Sequence, residues 1–211
     1  MIEKNLSKRE ANKVQKKETF IKAAEELFVE KGFENTSVEE IVKRAGLTKR
    51  TLYQYFQSKE DLYYAVALKG ARLLYEASMV ALEQGKNARE KIRLANRAHL
   101  NFYQEHLDSF QILNYVPANK ENSEASPHFQ KVRMLDGQRM MYLASLIATG
   151  TSDGSINPRL DMKKAVLFGF FSAFSLLYTF AFTDKSFWKA LKMNEDEFLE
   201  FSFDLLTDAL K

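Results

Sequence analysis

Residues 32–62 read GFENTSVEEIVKRAGLTKRTLYQYFQSKEDL, and the caps, apolar positions and stops in this stretch decide the fold. Ser37 with Glu40 three residues on is a capping box: the serine hydroxyl accepts from the Glu40 amide while the glutamate reaches back to the Ser37 N–H. It starts a short helix carrying Val38, Ile41 and Val42, which Ala45 and Gly46 end after about two turns. Thr48 caps a second short helix, Lys49 to Phe56, with apolar Leu52 and Phe56 four apart. Two short helices across a glycine turn make a helix-turn-helix. Ser58 then caps a long helix that carries Lys59, Glu60 and Asp61 in its first turn and runs to about Leu82, before Gly85. About 25 residues at ~1.5 Å each span nearly 40 Å, enough to join two domains.

Upstream, Phe20, Ala23, Ala24, Leu27 and Phe28 recur at spacings of three and four, predicting a helix from about Lys16 to Lys31 with Gly32 as its stop. Downstream, the same signals predict helices near Ala88–His106 and Ser109–Tyr115, a polar connection from Pro117 to Ser126, and helices near Pro127–Thr149 and Asp161–Phe182. A final helix is expected after Asn194, whose N-cap position precedes acidic Glu195, Asp196 and Glu197. The expectation is an all-α chain of about nine helices: a three-helix head with its N-terminal arm at 1–64, and a larger helical domain at 65–211.

The chain has 211 residues, 28% charged and 45% apolar, without cysteine. That composition excludes disorder, disulfide scaffolds, thiolate catalysis and cysteine metal sites, and suits a reducing, cytoplasmic setting. The charged N-terminal stretch has no apolar signal-peptide core. The 31 basic residues exceed the 28 acidic ones by three, and the whole excess lies before Glu60. Between Ile41 and Lys59 stand Lys43, Arg44, Lys49, Arg50 and Lys59 without an acid, interleaved with Tyr53, Tyr55 and Phe56. This is either a solvated helical face or a phosphate-contacting surface.

Residues 165–182 form an uncharged run of eighteen, the lower edge of a bilayer span. Against a span, Gly169, Ser172, Ser175 and Thr179 draw a small, mildly polar stripe suited to helix packing, and the flanking charges lack a Lys/Arg asymmetry. A helix buried half by its own subunit and half by a partner explains the composition better.

From Gly32 through Ile41, and from Ala45 through Leu62, the pattern resembles the TetR family of transcriptional regulators over about Thr19 to Ala65. The Thr51-Leu52-Tyr53-Gln54-Tyr55-Phe56 segment and the Lys59-Glu60-Asp61-Leu62 helix start carry the likeness. The resemblance implies an all-helical homodimer whose variable C-terminal domain binds a small molecule and shifts DNA-binding heads. It further implies that Lys49, Arg50, Thr51 and Gln54 face the major groove while Tyr53, Tyr55 and Lys59 hold phosphates. The physics agrees: Lys49 or Arg50 can donate to guanine, Gln54 can pair with adenine, and Lys59 sits at a helix N-terminus. Thr36 and Ser37, starting the preceding helix, can also meet phosphate. Many members carry glycine or alanine in place of Arg50, so this side chain reaches either the groove or a phosphate. For Tyr53 and Tyr55 the competing reading is core packing, and for Leu52 and Phe56 it is preferred. Lys4, Lys8, Arg9, Lys13, Lys16 and Lys17 read as a disordered tail or as an arm for an A·T-rich minor groove.

By the same resemblance, Tyr75, His99, Phe102, Tyr103, Met134, Phe171 and Phe174 are expected to line a largely apolar effector pocket. The apolar helix near 161–182 and the final helix are expected to form a homodimer interface. Arg89, Arg93 and Arg97, four apart, read as a solvated face or an anion site. His99 and His106 lack the spacing of a metal pair, and no metal or cofactor is expected. No nucleophile elbow, phosphate loop or dinucleotide fingerprint occurs, so no enzyme is expected. The leading reading is a repressor released from a near-palindromic operator by its effector, with the long helix from Lys59 as lever. The alternatives are an effector-free architectural or cell-cycle DNA-binding protein, or an interaction bundle that has lost DNA function.

Overall fold

The computed structural model describes residues 7–211, and among them the chain is helical with no strand. Eleven helices follow in order: α1 (Lys8–Lys31), α2 (Val38–Ala45), α3 (Lys49–Leu52), α4 (Lys59–Glu83), α5 (Ala88–Glu105), α6 (Leu107–Asn114), α7 (Lys120–Ala125), α8 (Pro127–Asp153), α9 (Met162–Ala181), α10 (Lys185–Leu191) and α11 (Glu195–Asp208). The two beyond the expected nine are α7, inside the polar connection, and α10. Both are short: α7 is polar apart from Ala125, and the seven residues of α10, though they include Phe187, Trp188 and Leu191, are too few for a periodic pattern to stand out. Helix α1 starts at Lys8 rather than near Lys16: Ser7 and Glu10 form a capping box ahead of a first stretch whose apolar residues, Ala11 and Val14, are too sparse for a periodic signal. That helical start corrects the disordered-tail reading from Lys8 onward, while Lys4 lies outside the described residues.

The described residues pack as two compact units. The first comprises residues 7–69 together with 115–133, the second 70–114 together with 134–211, so α4 and α8 each contribute to both. In the first, α1 buries Phe20, Ile21, Ala23, Ala24, Leu27 and Phe28, the face its spacing predicts. Ile41 of α2, Leu52 of α3, Phe56 and Leu62 complete that core, with the Phe56 ring edge-on to Phe20 at 6.4 Å. Tyr115 closes the far end, its ring 6.0 Å from Phe33 and 5.8 Å from Tyr63.

The second unit has two apolar clusters. One gathers Leu100, Phe102, Tyr103 and Phe110 with Leu177, Phe180, Trp188, Leu199 and Phe203. The other gathers Ile92, Leu146, Ile147, Ile156, Val166 and Leu210, with Ala95, Met140 and Leu143 packed against it. Gly150 does not stop α8, which continues to Asp153. A Cβ there would lie 2.5 Å from Cγ1 of Ile156, so glycine is needed because the chain folds back onto the helix.

Helix α9 passes the length and composition test for a membrane span, but it is two-faced. Val166, Ala173, Leu177 and Phe180 are buried, while Leu167, Phe168, Phe171 and Tyr178 are exposed. Phe201 and Leu205 of α11 are exposed as well.

Candidate DNA-binding surface and effector site

The helix-turn-helix is built by its caps. The Ser37 hydroxyl accepts from the Glu40 amide at 3.3 Å and the Ser37 N–H donates to the Glu40 carboxylate at 2.9 Å, closing the predicted box. Lys31 from α1 also pairs with Glu40, and these bonds hold its carboxyl at about 2, far below the ordinary range. Gly46 ends α2 with φ +65°, a left-handed turn that glycine adopts freely. Thr48 then caps α3, its hydroxyl accepting from the Thr51 amide at 3.2 Å.

Only one turn of α3 is regular helix; the segment after Leu52 continues as turns, with Tyr55 N–H donating to Leu52 O at 2.9 Å. Lys49, Arg50, Tyr53 and Gln54 are all exposed. Tyr53, 49% exposed, is therefore not a core residue. Lys49 pairs with Glu39 at 2.5 Å, whereas Arg50 has no ion pair among the described residues. Arg44, also from this basic run, bridges Glu26 and Glu30 at 3.1 and 2.9 Å and is thereby committed to holding α2 on α1.

Of the expected phosphate ligands, Thr36 and Lys59 turn inward and Tyr55 is partly packed. Thr36 is 2% exposed and its hydroxyl donates to Gly32 O at 2.8 Å, so it locks the α1–α2 turn rather than facing solvent. Lys59 turns inward: its ammonium donates to Phe33 O at 2.9 Å and Thr36 O at 3.0 Å and lies 3.9 Å from the Phe33 ring centroid. Two of its three N–H groups thus cap a turn. Tyr55 is half-buried, its ring 6.3 Å from Phe20, so packing claims part of it.

Within the first unit lies a buried polar network that hydrophobic patterning does not reveal. One oxygen of Asp61 accepts from the Ser126 hydroxyl at 2.7 Å and meets His128 Nδ1 at 2.6 Å; the other accepts from the Gln57 N–H at 3.1 Å. Lys17 Nζ stands 3.2 Å from His128 Nε2. An ammonium donates only, so Nε2 accepts and Nδ1–H donates to Asp61. Burial alone would raise the Asp61 pKa, but bonds from His128, Ser126 and Gln57 outweigh it and hold the carboxyl at about 2. The network ties α1, α4 and the start of α8 through residues far apart in the chain.

The residues expected to line an effector pocket divide. Phe102 and Tyr103 belong to the apolar cluster of the second unit, Tyr103 donating its hydroxyl to Glu195 at 3.1 Å. Phe171, 57% exposed, and Met134 lie on the outer surface instead. Tyr75, His99 and Phe174 are half-buried. Arg93 and Arg97 of the arginine stripe are exposed, as a solvated face requires, but both are ion-paired rather than free for an anion. Arg93 reaches Asp208 at 3.2 Å and Arg97 reaches Glu200 at 3.0 Å, with Asn96 on Thr207 between them, which stitches α5 to α11. A cavity of about 230 Å³ beside this seam is lined by Arg93, Arg97, Leu100, Glu200, Phe203 and Asp204. No group of three or more His, Asp or Glu among the described residues is placed to hold a metal ion.

The family model for bacterial regulatory proteins of the tetR family matches residues 20–66, the segment that forms the head. The chain is 33% identical over 91 residues to the HTH-type transcriptional activator FasR of Mycolicibacterium smegmatis, a match covering 43% of this chain and 42% of that protein. It thus spans less than half of that relative. It is 26% identical over 152 residues to the fatty acid metabolism regulator protein of Bacillus subtilis, covering 71% of this chain and 76% of that one. Among solved structures, FadR from Bacillus halodurans superposes with a TM-score of 0.70 at 20% identity over 93% of this chain and 96% of that one. FadR from Bacillus subtilis in complex with stearoyl-CoA gives 0.69 at 22% identity over 92% and 96%. The head segment thus matches the tetR family model, and the eleven-helix fold is similar to those of solved regulators of that family.

Proposed function

We propose that the protein is a ligand-responsive transcriptional regulator that binds a near-palindromic operator as a homodimer and is released by a small, largely apolar effector. The observation that carries the reading is the capped α2–α3 pair with Lys49, Arg50, Gln54 and Tyr53 turned to solvent at its outer end. The N-terminal turn of α3 enters the major groove. There Arg50 or Lys49 donates to guanine O6 and N7, Gln54 pairs with adenine, and Thr51 makes hydroxyl contacts. Tyr53, Tyr55 and Ser37 supply phosphate contacts that set position without reading sequence. The task assigned to residues 1–64 is therefore DNA reading, and that of 65–211 effector binding and dimerisation.

The exposed apolar residues of α9 and α11 support a partner of the same kind, since Phe168, Phe171, Tyr178, Phe201 and Leu205 need cover from water. A two-fold axis would set the recognition helices about 34–36 Å apart, one turn of the duplex. The relatives support a lipid-like effector: one is named for fatty acid metabolism and a similar fold holds stearoyl-CoA. Effector and DNA then oppose each other by linkage, each weakening the other by the same factor. Helices α4 and α8, which contribute residues to both units, are the covalent routes for that coupling. Such a protein works in the cytoplasm, where the DNA is.

The test is titration of a labelled fragment from upstream of the protein's own gene, with excess competitor DNA at two salt concentrations. An Arg50→Ala, Gln54→Ala variant runs alongside. Saturable binding that survives competitor and is lost in the variant is expected. Binding that the variant retains in full would refute the assignment of α3 as the reader.

A further inference from the structure

Arg139 and Asp136 on α8 and His99 on α5 stand together in the second unit, each only partly exposed, and Arg139 and His99 lack the hydrogen-bond partners such groups normally have. Arg139 has only 20% of its side chain exposed, and its nearest acid, Asp136, is 3.6 Å away, too far for a hydrogen bond. Neither Arg139 nor His99 makes a hydrogen bond to any described residue, although five guanidinium N–H groups and two ring nitrogens are present. Withdrawing such groups from most of their water without a partner forfeits part of their solvation.

Their place follows from helix periodicity. Ala95 of α5 and Met140 and Leu143 of α8 pack on one apolar cluster. His99 lies one turn beyond Ala95, while Arg139 and Asp136 lie one turn before Leu143 and Met140, so the three groups share that end of the cluster. On its other side the His99 ring faces Phe110 of the second cluster at 6.3 Å. Burial, reinforced by the Arg139 charge, pushes the His99 pKa down to about 3 and keeps the imidazole neutral. Burial likewise lowers the Arg139 pKa and raises that of Asp136. The result is a cation with unspent donors and a neutral imidazole at the head of an apolar interior.

We infer that Arg139, with His99 beside it, is the anchor for the anionic head of an amphiphilic ligand whose apolar body lies among the side chains of the second unit. A carboxylate or a phosphate matches the guanidinium fork. Asp136, 43% exposed, is the place-holder that turns to water when the anion enters. A cationic head would instead meet Arg139. The inference deepens the proposed function and rests on reading this unit as the ligand-binding one.

The test is calorimetric titration of the full-length protein with dodecanoate, dodecyl phosphate, dodecanol and dodecyltrimethylammonium, each below its micelle concentration. It compares wild type, Arg139→Met and Asp136→Asn. Thermal melts confirm that each variant is folded. Expected is binding of at least one of the two anions, and whichever binds names the head group. Dodecanol and the ammonium should bind about tenfold more weakly or worse. Arg139→Met should lose the same factor, whereas Asp136→Asn, which removes the competing carboxylate, should tighten anion binding. If Arg139→Met does not fold, tightening by Asp136→Asn still decides. The inference is overturned if neither anion binds, if dodecanol binds as well, or if neither variant changes the affinity. Operator release measured in parallel separates the two claims. Arg139-dependent binding without release would sink the effector role alone, and release by all four probes irrespective of Arg139 would sink the anchor alone.

Discussion

Asp61 and Arg139 are both charged side chains removed from water, yet the two units treat them in opposite ways. In the head, Asp61 is 2% exposed and carries bonds from Ser126, His128 and the Gln57 amide. In the second unit Arg139 is held by nothing closer than an acid at 3.6 Å. A buried charge whose lone pairs are filled makes a region rigid and single-valued. One left unfilled is a stored cost that a ligand can relieve. On the proposed function, the head presents α3 in one geometry to a duplex and the second unit accepts a ligand. The contrast in polar satisfaction follows that division of labour.

The sharpest way to break this comparison is to remove one acid from each unit. Asp61→Ala leaves Ser126, His128 and the Gln57 amide facing a void and should cost about 3–5 kcal/mol in urea unfolding. Asp136→Ala, half-exposed and without a hydrogen bond, should cost less than about 1 kcal/mol. Equal losses would end the distinction. On the second unit's outer face, Phe171→Glu puts a charge where an apolar partner is expected. It should shift sedimentation from dimer to monomer and weaken operator binding with little change in monomer fold.

Smaller effects sharpen the picture. Lys59→Met removes two bonds to the carbonyls of Phe33 and Thr36 and should cost about 1–3 kcal/mol. If Lys59 were only a phosphate ligand, the melting temperature would not move and only DNA affinity would fall. In the second unit Gly150→Ala presses a methyl into Ile156 and should cost about 1–3 kcal/mol by overpacking.

Acid should act on the two units in different windows. His99 has its pKa depressed from 6.5 to about 3, so between those values the unfolded chain takes up a proton that the folded one refuses. Its contribution therefore erodes as pH falls below about 6.5, and His99→Gln should flatten the stability profile between pH 6 and 4. Asp61 is depressed from 3.8 to about 2, so its contribution is intact above about 4 and is lost as pH falls toward 2. Asp61→Asn should alter the profile only at that lower end. Urea melts across the range check both.

Much of the head was legible in the chain itself, because its information is local. The Ser37–Glu40 box, the Gly46 stop, the Thr48 cap and the three-and-four spacing of Phe20 to Phe28 each act within a few residues, and each stands where the residues predict. Helix α7 and the early start of α1 escaped because their first turns carry no apolar repeat, and α10 because seven residues are too short for a periodic pattern to stand out. Roles escaped for a different reason. Spacing places Thr36 and Lys59 at helix starts where phosphate contact is plausible, but which way a hydroxyl or an ammonium turns depends on carbonyls that only the folded turn brings within reach.

The same holds for the second unit. Sequence alone established that its helices are unusually aromatic. Only the tertiary structure decided that Phe102 and Tyr103 are core, that Phe171 and Met134 face outward, and that Arg93 and Arg97 pair with α11. Local caps and periodicity set where helices begin and which face is apolar. Which of two apolar faces is covered, and which buried charges find partners, are set by pairs such as Asp61 with His128, or left unset as at Arg139, across separations that no local pattern encodes.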